Sequence, residues 1–515
     1  GYVLVIDQTR GDASIRYGGA TDDSFRQMLA TARRDHPGAR IIIRAHPETR
    51  AGLRPGHFGP ADGEICADPI SPWRLLEGAR AIYAVTSQLG YEAILAGHRP
   101  ILFGSPFYAG WGLSTDPVPL PRRARRLSVA QLFAVSHILA PTWFDPCRSR
   151  LCGFEQIVDQ LEAETRAFRQ DRRGHIATGI RLWKRRPLQQ IFGGESPLRF
   201  VDPPARAISA ARASGRSLLI WSNRDLPASD LPTCRVEDGF LRSRGLGADL
   251  VPPVSLIADT RGIYYDPTRP SDLEVLIAQG PPADGRARAE RLVTAIRVGG
   301  LSKYNLGGGL PDLPSGHRIL VPGQVEDDAS IRLGAGKTST NLALLTRVRA
   351  ENPKSIVIFK PHPDVEAGLR PGHISPDQAL RHADIIAANA DPVALIAAVD
   401  EVWTMTSLLG FEALLRGKPV TVTGAPFYAG WGLTRDLGPT PDRRLARPDL
   451  LALAHAVLIA YPRYYDPLSR RACPPEVVVE RLAQGTVPRP GPFNRGLAKL
   501  QGACAAYAWL WRRQR

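Results

Sequence analysis

The sequence contains two copies of one module, and this internal repeat limits the possible folds more than any other feature. The string AGLRPGH occurs at 51–57 and again at 367–373, and FYAGWGL occurs at 107–113 and again at 427–433. The copies lie roughly 320 residues apart, whereas stacked repeat architectures have periods of ~20–50 residues. The repeat therefore predicts two copies of a whole catalytic or binding module rather than a solenoid.

The two copies differ in what precedes them. Residues 194–300 carry strand and helix patterns of their own before the second copy, whereas the sequence as given begins at the first strand of the first copy. We therefore expect one complete module with a front and a rear half, preceded by the rear half of a module whose front half is absent. The predicted domains are 1–165 for that first rear half, 166–193 for a basic linker that carries tryptophan, 194–305 and 306–485 for the front and rear halves of the complete module, and 486–515 for a basic C-terminal tail.

Each copy is followed by a basic segment that contains tryptophan. WKRR occupies 183–186 and WRR occupies 511–513. One interpretation is a helix that packs against its own module. The other is a contact with an anionic membrane surface, where Trp prefers the interface and Arg and Lys meet lipid phosphates. The sequence leaves both interpretations open.

The chain is basic, with 66 Lys and Arg against 50 Asp and Glu and a formal net charge of +16 over 515 residues. Such an excess suggests an anionic partner. No apolar run approaches the ~18 residues that a transmembrane helix needs, and no motif of a nucleic-acid-binding fold occurs. The six cysteines form no CxxC pair and no cluster with histidine, so no metal site is predicted. The charge therefore favours anionic small molecules or lipid over nucleic acid.

Strands and helices alternate in each copy, which predicts an α/β fold with Rossmann-like parallel sheets covered by helices. The predicted strands are 3–7, 41–44 and 81–85 in the first copy, and 318–322, 356–360 and 401–405 in the second. Ligands of such sheets bind beyond the carboxyl ends of the strands. The residues that follow each strand are therefore the candidates for a site.

The same types of polar residue follow the corresponding strands in both copies. Gln and a shared Asp follow the first strand, a cation and His-Pro follow the second, and Thr-Ser and a helix with Glu follow the third. Each alone is typical of a turn or a helix cap, but their recurrence at three strand ends indicates a phosphate-binding site. The candidates are Gln8, Asp12, Arg44, His46, Thr86, Ser87 and Glu92 in the first copy, and Gln324, Asp328, Lys360, His362, Thr406, Ser407 and Glu412 in the second.

A further cluster lies in the front half of the complete module. The predicted strand 217–221 is followed by RVEDGFLRS at 235–243, whose Glu237 or Asp238 could supply a general base across a cleft. The alternative is a turn that ends at a glycine. Lys303, Tyr304 and Asn305 lie at the hinge between the halves and could contact a ligand from either side.

These motifs resemble those of a known group of enzymes. E-D-G at 237–239, H-P at 362–363 and T-S at 406–407 are similar to motifs of bacterial CMP-sugar glycosyltransferases with the GT-B architecture, in which two Rossmann-like halves face each other. RVEDGFLRSRGLG, GLSKYN, PGQVEDDAS, KPHPD and PFYAGWGL resemble the capsular polysaccharide β-Kdo transferases of the KpsC type. The resemblance covers nearly the whole chain, including its duplication.

The resemblance implies a donor, an acceptor and a location. The donor would be CMP-β-Kdo, and the acceptor a Kdo-bearing lyso-phosphatidylglycerol. The first module would form 2→4 linkages and the second 2→7 linkages, both with retention of the β configuration and without a metal or cofactor. The protein would lie in the cytoplasm, at the inner face of the inner membrane, with capsule assembly and export proteins as possible partners. No nucleic acid is expected.

The resemblance also implies roles for the candidate residues. Retention suggests two displacements through a covalent adduct, with Asp328 (Asp12 in the first copy) as the nucleophile. His362 with Lys360, and His46 with Arg44, would stabilise the departing phosphate. Glu237 or Asp238 would deprotonate the acceptor hydroxyl. The nucleotide would contact Thr406, Ser407 and Glu412, or Thr86, Ser87 and Glu92, while Lys303 and Arg242 would bind sugar carboxylates.

Two alternatives accompany this interpretation. One is an enzyme similar to sialyltransferases that uses another CMP-linked 2-keto sugar acid. The other is a non-catalytic protein that binds polyanions or lipid on a transferase fold. Because the first copy lacks a counterpart of the E-D-G half in this sequence, we expect it to be inactive or poorly formed here.

Overall fold

The computed structural model describes residues 1–246, 250–368 and 370–488. These residues form two units, one from Gly1 to Trp143 and one from Phe144 onward. Among the described residues, no helix is both long enough and apolar enough to cross a lipid bilayer.

The first unit is a single parallel sheet covered by helices on both faces. The apolar run YVLVI forms its central strand because alternate side chains enter the two cores. The elements are β1 Tyr2–Ile6, α1 Ala13–Tyr17, α2 Asp22–Asp35, β2 Ile41–Arg44, α3 Pro47–Arg50, β3 Glu64–Cys66, α4 Pro72–Gly78, β4 Ala79–Ala84, α5 Gln88–Leu95, β5 Ile101–Leu102 and α6 Val129–Phe133. The strand order in the sheet is β3-β2-β1-β4-β5, and every pair is parallel.

The second unit contains two larger sheets. Its first elements are β6 Trp143–Asp145 (which begins at the last residue of the first unit), β7 Arg150–Cys152, α7 Phe154–Asp171, β8 His175–Thr178, α8 Leu182–Phe192, β9 Arg199–Phe200, α9 Pro204–Ser214, β10 Ser217–Trp221, β11 Thr233–Asp238, β12 Ser255–Asp259, α10 Asp272–Gln279 and α11 Gly285–Val298. The remaining elements are β13 Arg318–Pro322, α12 Ala329–Gly334, α13 Asn341–Glu351, β14 Ile356–Lys360, α14 Pro363–Glu366, α15 Pro376–Ala379, β15 Ile385–Ile386, α16 Pro392–Ala398, β16 Glu401–Thr404, α17 Leu408–Leu414, β17 Val420–Val422, β18 Arg435–Asp436, α18 Leu450–Ala454, β19 Arg463–Asp466, β20 Arg471–Cys473 and α19 Pro475–Gln484.

The front sheet of the second unit has the order β20-β19-β12-β11-β10-β8-β9, and the rear sheet has the order β15-β14-β13-β16-β17-β18. The rear sheet is entirely parallel. The front sheet is parallel from β9 to β11, and β12, β19 and β20 extend it in antiparallel fashion. The chain thus returns from the rear half to complete the front sheet. The predicted α/β class with Rossmann-like parallel sheets is confirmed.

An aromatic cluster joins the two halves of the second unit. Phe240 follows β11 of the front sheet and is 3% exposed. Its ring packs against Tyr264, Phe427 and Tyr461, with centroids 4.9, 5.0 and 6.5 Å away. Because offset and edge-to-face aromatic pairs add to the burial of large apolar surfaces, this cluster fixes the rear half against the front half.

The segment predicted as a linker at 166–193 is instead part of the front half. His175–Thr178 is a buried strand between β10 and β9, and the helix after it buries Leu188, Ile191 and Phe192 against the sheet. The first basic Trp-bearing segment therefore contains a packed helix, but this helix packs on the second unit and not on the first copy, which was the module expected to hold it. The second such segment, at 511–513, lies outside the described residues, as does most of the predicted tail at 486–515.

The boundary predicted at 165 also differs from the structure, because it falls inside α7. This helix packs against the end of the second copy. Arg166 donates to the carbonyl oxygens of Ala460 and Pro462, both at 2.5 Å, and Asp171 accepts a bond from Arg463 at 2.8 Å. These bonds hold α7 against the second unit, although in sequence the helix follows directly on the first copy.

Candidate functional site

A cleft of about 980 Å³ lies between the two sheets of the second unit. It is lined by residues at the carboxyl ends of strands from both sheets, as expected for ligand sites of such folds. Eleven candidates from the sequence line it, namely Glu237, Asp238, Lys303, Tyr304, Gln324, Asp328, Lys360, His362, Thr406, Ser407 and Glu412. The structure therefore brings together nearly all candidates of the complete module, from five separate chain segments.

Gln324 and Thr406 fasten two of the cleft loops to each other. The Gln324 Oε1 atom accepts bonds from the Thr406 amide at 3.0 Å and from Thr404 Oγ1 at 3.1 Å, and its Nε2 donates to Thr406 Oγ1 at 2.9 Å. Gln8 and Thr86 form the same reciprocal pair in the first unit, at 2.9 and 3.0 Å. The recurrence of Gln and Thr in both copies thus has a structural reason, which is the register of the two loops.

Asp328 and Asp12 begin equivalent helices. Asp328 Oδ2 accepts bonds from the Ser330 amide at 3.3 Å and from the Ser330 hydroxyl at 2.7 Å, and Asp12 Oδ1 accepts one from the Ser14 amide at 2.8 Å. Both are therefore N-caps. Asp328 is also exposed and lines the cleft. Its cap bonds orient the carboxylate, which leaves an anionic group in a fixed place at the cleft wall.

His362 is held as one tautomer by a short helix. Its Nδ1 accepts the amide of Asp364 at 3.1 Å, and Nδ1 of His46 accepts the amide of Glu48 at 3.2 Å. In the neutral ring the proton must then lie on Nε2, which is a donor. Burial lowers the pKa of His362. The cleft therefore presents a neutral imidazole N–H rather than an imidazolium at neutral pH.

Lys360 and Arg44 occupy equivalent positions but do not serve the same purpose. Lys360 is 6% exposed, lines the cleft, and has its pKa lowered by burial. Arg44 instead donates to the backbone oxygens of Asp68 at 2.6 Å and Cys66 at 3.3 Å. The cation after the second strand thus faces a ligand site in the second copy and fastens a loop in the first.

Ser407 and Ser87 are N-caps as well. Their hydroxyls accept the amides of Leu409 at 3.2 Å and Leu89 at 3.3 Å. Glu412 lies one turn further along its helix, is 8% exposed, and accepts the amide of Lys303 at 2.8 Å. Burial raises the pKa of Glu412, and burial also raises the pKa of Glu92, which is half-buried. Glu412 therefore connects the rear half to the hinge segment.

Glu237 and Asp238 are adjacent carboxylates with opposite properties. Burial and the neighbouring Asp238 charge raise the pKa of Glu237, which accepts a bond from the Ser222 hydroxyl. Burial by itself raises the pKa of Asp238 too, but the positive charges of Arg242, 2.9 Å away, Lys184 and Lys303 together outweigh it and bring that pKa to about 2. Asp238 is thus the stable anion of the pair, whereas Glu237 binds a proton more readily than an ordinary glutamate.

Two predicted ligands of the substrate do not line the cleft. Arg242 has no exposed surface, and its guanidinium is the buried partner of Asp238. The role predicted for Arg242 as a carboxylate ligand does not fit this position, because no substrate reaches it. Asn305 holds the hinge instead, with its amide bonded to Ser302 at 3.1 Å and its side chain donating to the Ser243 carbonyl at 3.0 Å.

Lys303 connects the hinge to the front half and lines the cleft. Its carbonyl oxygen accepts the amides of Arg242 at 3.1 Å and Ser243 at 3.3 Å. Burial by itself lowers the pKa of Lys303, but Tyr304, Tyr264 and the two carboxylates raise it overall. The ammonium group is therefore a stable cation among carboxylates.

Sequence reasoning missed several residues of the front half. Lys184 lies with its Nζ 3.1 Å from the ring centroid of Trp221, at the carboxyl end of β10. Asn223, Tyr264 and Tyr265 line the cleft. The available signal was WKRR at 183–186, which the sequence places in a linker. Among the described residues, no group of three or more His, Cys, Asp or Glu side chains is arranged to hold a metal ion.

The two copies differ at the loop next to the shared Asp. Asp327 pairs with Arg370 at 2.6 Å on the rim of the cleft, and both line it. The first copy has Gly11 in place of Asp327, and the preceding Arg10 pairs with Asp22 at 2.8 Å. The charges beside the shared Asp therefore differ between the two copies, although the Gln, Asp and His residues that follow the strands are the same in both.

Comparison with solved structures identifies similar proteins that are Kdo transferases. A β-Kdo 2,7 transferase, KpsC of Thermosulfurimonas dismutans, is 34% identical, with a TM-score of 0.52 over 61% of this chain and 99% of its own. The β-Kdo 2,4 transferase of the same KpsC is 32% identical, with a TM-score of 0.51 over 60% of this chain and 98% of its own. These neighbours support a glycosyltransferase fold with two facing Rossmann-like halves, as the sequence predicts.

Comparison of sequences identifies relatives named for capsule polysaccharide modification and for lipopolysaccharide processing. The capsule polysaccharide modification protein LipA of Neisseria meningitidis serogroup A is 40% identical over 502 residues, which is 93% of this chain and 71% of LipA. The lipopolysaccharide-processing protein LpsZ of Rhizobium meliloti is 43% identical over 304 residues, which is 56% of this chain and 69% of LpsZ. The model of the capsule polysaccharide biosynthesis protein family matches residues 1–140, 224–296 and 314–464, and the chain belongs to that family.

Proposed function

We propose that the second unit is a retaining β-Kdo transferase that uses CMP-Kdo as donor. The observation that carries this proposal is the convergence of Asp328, the Lys360–His362 pair and the Glu237–Asp238 pair on one cleft. These groups supply a nucleophile, donors for a leaving phosphate and a base. The similarity to the 2,7 and 2,4 transferases supports the sugar, and 2→7 is the linkage we propose for this unit.

In the first displacement Asp328 attacks the anomeric carbon C2 of the donor. The bond from C2 to the phosphate oxygen breaks, its electron pair leaves with CMP, and a glycosyl ester forms on the aspartate. Lys360 offers a cation and His362 an Nε2–H to the departing phosphate. Because these protein groups meet the phosphate charge, we propose that the reaction needs no metal, and activity is expected to survive EDTA.

In the second displacement the acceptor hydroxyl attacks C2 and the aspartate leaves. Two inversions at one carbon retain the β configuration. Of the two candidate bases, Glu237 fits better, because a base works best with a pKa near the operating pH. Its pKa is raised by burial and by Asp238, whereas the pKa of Asp238 is about 2. Asp238 instead keeps Arg242 in place beneath the cleft.

Lys303 is the proposed ligand of a sugar carboxylate. Its side chain lines the cleft near the carboxylates of Glu237 and Asp238. The proposed contacts of the nucleotide are Thr406, Ser407, Glu412 and Tyr304, which also line the cleft. The acceptor we propose is a Kdo-bearing lyso-phosphatidylglycerol, which places the enzyme at the cytoplasmic face of the inner membrane, beside the proteins that assemble and export the capsule.

The test is product analysis with the full chain, CMP-Kdo and a soluble acceptor that ends in β-Kdo. We expect one β-linked Kdo to be added and, with donor alone, a Kdo mass on the peptide that contains Asp328. CMP-sialic acid in place of CMP-Kdo separates the sialyltransferase-like alternative. Absence of both CMP release and thermal stabilisation by CMP would favour the non-catalytic binding protein.

Asp12→Asn is the matched control for Asp328→Asn. Both residues cap an equivalent helix, and Asn is as good a cap as Asp, so both variants should fold. We expect Asp328→Asn to abolish transfer and adduct formation and Asp12→Asn to preserve them, because the first unit, whose residues are all described, has no second sheet. Full activity of Asp328→Asn, or loss of activity with Asp12→Asn alone, would overturn the assignment.

A further inference from the structure

We propose that Lys184, held on the ring of Trp221, is a positioning residue that keeps Glu237 ready to accept a proton from the acceptor. This inference rests on the proposed function, in which Glu237 is the base of the second displacement. Lys184 belongs to none of the motifs that identify the cleft. It reaches the site from a helix that precedes them by about 50 residues in sequence.

Three strand ends of the front sheet bring Lys184 to the carboxylates. The chain leaves β8 at Thr178 and enters α8 at Leu182, so Lys184 lies in the first turn of that helix at the carboxyl edge of the sheet. Trp221 is the last residue of β10, and this strand pairs with β8 on one side and with β11 on the other. The residue after it, Ser222, donates to Glu237, at the end of β11. The carboxyl ends of three adjacent strands, β8, β10 and β11, thus carry Lys184 (in the helix after β8), Trp221 and Glu237.

The position of Lys184 is fixed on both sides. Its Nζ lies 3.1 Å from the Trp221 ring centroid, within the range of a cation–π contact. The far end of α8 is anchored by Leu188, Ile191 and Phe192, which are buried in the core of the front half. Trp221 carries no charge, so it holds the ammonium group without neutralising it. The positive field of Lys184 is thus available to the neighbouring carboxylates.

The charges around Glu237 come from every surrounding element. The groups that face it are Asp238 on its own strand, Ser222 from β10, Lys184 from α8, Arg242 from the loop after β11, Tyr264 and Tyr265 from the segment after β12, and Lys303 from the hinge. Arg242 is bound to Asp238, and Lys303 also faces Tyr264 and Tyr304. Lys184, like Lys303 over the ring of Tyr304, lies against a neutral aromatic ring, but its Nζ is much nearer to its ring centroid, at 3.1 Å against 5.3 Å.

This arrangement has a chemical consequence. Burial and Asp238 both push Glu237 toward its protonated form, in which it cannot act as a base. A positive charge nearby favours the carboxylate and opposes that push. Burial lowers the pKa of Lys184 itself, while Asp238 and Glu237 raise it, so the charged lysine and the charged base support each other.

The test is the pH dependence of kcat/KM for the acceptor in the full chain. In Lys184→Met and Lys184→Gln the positive charge is lost, so the pKa of Glu237 rises and the acid limb of the profile should move to higher pH, by about one unit or more. Lys184→Arg, which retains the charge, should restore a profile close to that of the wild type. Arg186→Met removes an exposed cation from the same helix and should leave the profile unchanged.

The first displacement separates this inference from the proposed function. CMP release from CMP-Kdo and formation of the adduct on Asp328 do not use Glu237, so the Lys184 variants should preserve both. If the wild type releases no CMP, the proposed function fails. If the wild type is active but both neutral variants keep its acid limb, or if Lys184→Arg shifts it as far as they do, Lys184 does not position the base. Loss of adduct formation in folded variants would equally overturn it.

Discussion

A buried ion pair across the two halves of the second unit offers a sharp test of what holds them together. Glu274, in α10 of the front half, accepts bonds from Arg443 at 2.7 Å and from Arg444 at 2.8 Å. Both arginines follow β18 of the rear half. The side chain of Arg444 is 1% exposed and that of Glu274 is 10% exposed. Glu274→Ala therefore leaves an arginine buried without its counter-ion.

The expected cost follows from this burial. Removing one partner of a buried ion pair destabilises a protein by about 3–5 kcal/mol, because the remaining charge stays desolvated. Arg444 keeps its bonds to the carbonyl oxygens of Pro426 at 2.6 Å and Ala429 at 2.8 Å, so the guanidinium cannot simply turn to solvent. With an unfolding entropy of ~2.1 cal/mol/K per residue over roughly 340 residues, the melting temperature of the second unit should fall by about 4–7 °C.

Differential scanning calorimetry of the full chain measures this shift, with Glu351→Ala as the matched control. Glu351 also pairs with two arginines, Arg347 at 2.9 Å and Arg435 at 3.5 Å, but its side chain is 33% exposed. Partly exposed pairs contribute little, about 0.5 kcal/mol, so the control should move the transition by less than about 1 °C. Equal shifts in the two variants, or a shift below 1 °C for Glu274→Ala, would refute the reasoning from burial.

Three further outcomes follow from the cleft. Gly410→Ala should lower the urea midpoint of the second unit, because a Cβ there would lie 2.2 Å from the Tyr428 hydroxyl, which donates to the Ser407 carbonyl. Gly194→Ala, in the same unit and with no heavy atom within 4 Å of its Cβ, is the matched control and should leave the midpoint unchanged. Gln324→Leu should raise the KM for the donor and lower stability by about 1–3 kcal/mol, since the partly buried amide of Thr406 loses its acceptor and its hydroxyl loses the bond from Gln324. Steady-state kinetics and urea unfolding measure the two effects, and an unchanged KM would contradict the role of Gln324 in holding the loops. Asp238→Asn should destabilise the protein more at pH 6 than at pH 3. The folded protein lowers the pKa of Asp238 to about 2, so the stability that its charge contributes is present above about pH 4 and is lost as the pH falls toward 2. Urea midpoints of wild type and variant at the two pH values measure this difference, and equal losses at both would contradict it.

Much of the rear halves could be predicted from the sequence. Arg318–Pro322 and Ile356–Lys360 agree residue by residue with their predicted bounds, because each is an apolar run with polar residues directly after it. A parallel sheet buries such strands on both faces, so the run itself marks the strand. Once the strands are placed, the rule that ligands lie beyond their carboxyl ends gathers Asp328, His362 and Thr406 without any knowledge of side-chain contacts.

The front half could not be predicted as well, and the reasons are local. His175–Thr178 is a four-residue strand that begins with His and ends with Thr, and the helix after it contains Pro187, so neither element has a strong pattern of its own. Its strand character comes from pairing with β10, about 40 residues later. The resemblance implies a role for Arg242 in binding sugar carboxylates, but the residue alone does not reveal its complete burial, which Asp238 compensates.

The first and second copies show why motifs alone do not fix the chemistry of a site. Phe107 and Phe427 stand at the same position of FYAGWGL, yet Phe107 is 47% exposed and Phe427 is 4% exposed, because Phe240 and Tyr264 of the front half cover the latter. The equivalent glutamates differ in the same direction, with Glu412 8% exposed and Glu92 half-buried. Since burial is the first cause of the raised pKa of Glu412, its electrostatics depends on the pairing of the two halves. Identical residues therefore recur at equivalent strand ends of both copies, but the proton affinities that the proposed reaction requires are set by the sheet that faces them.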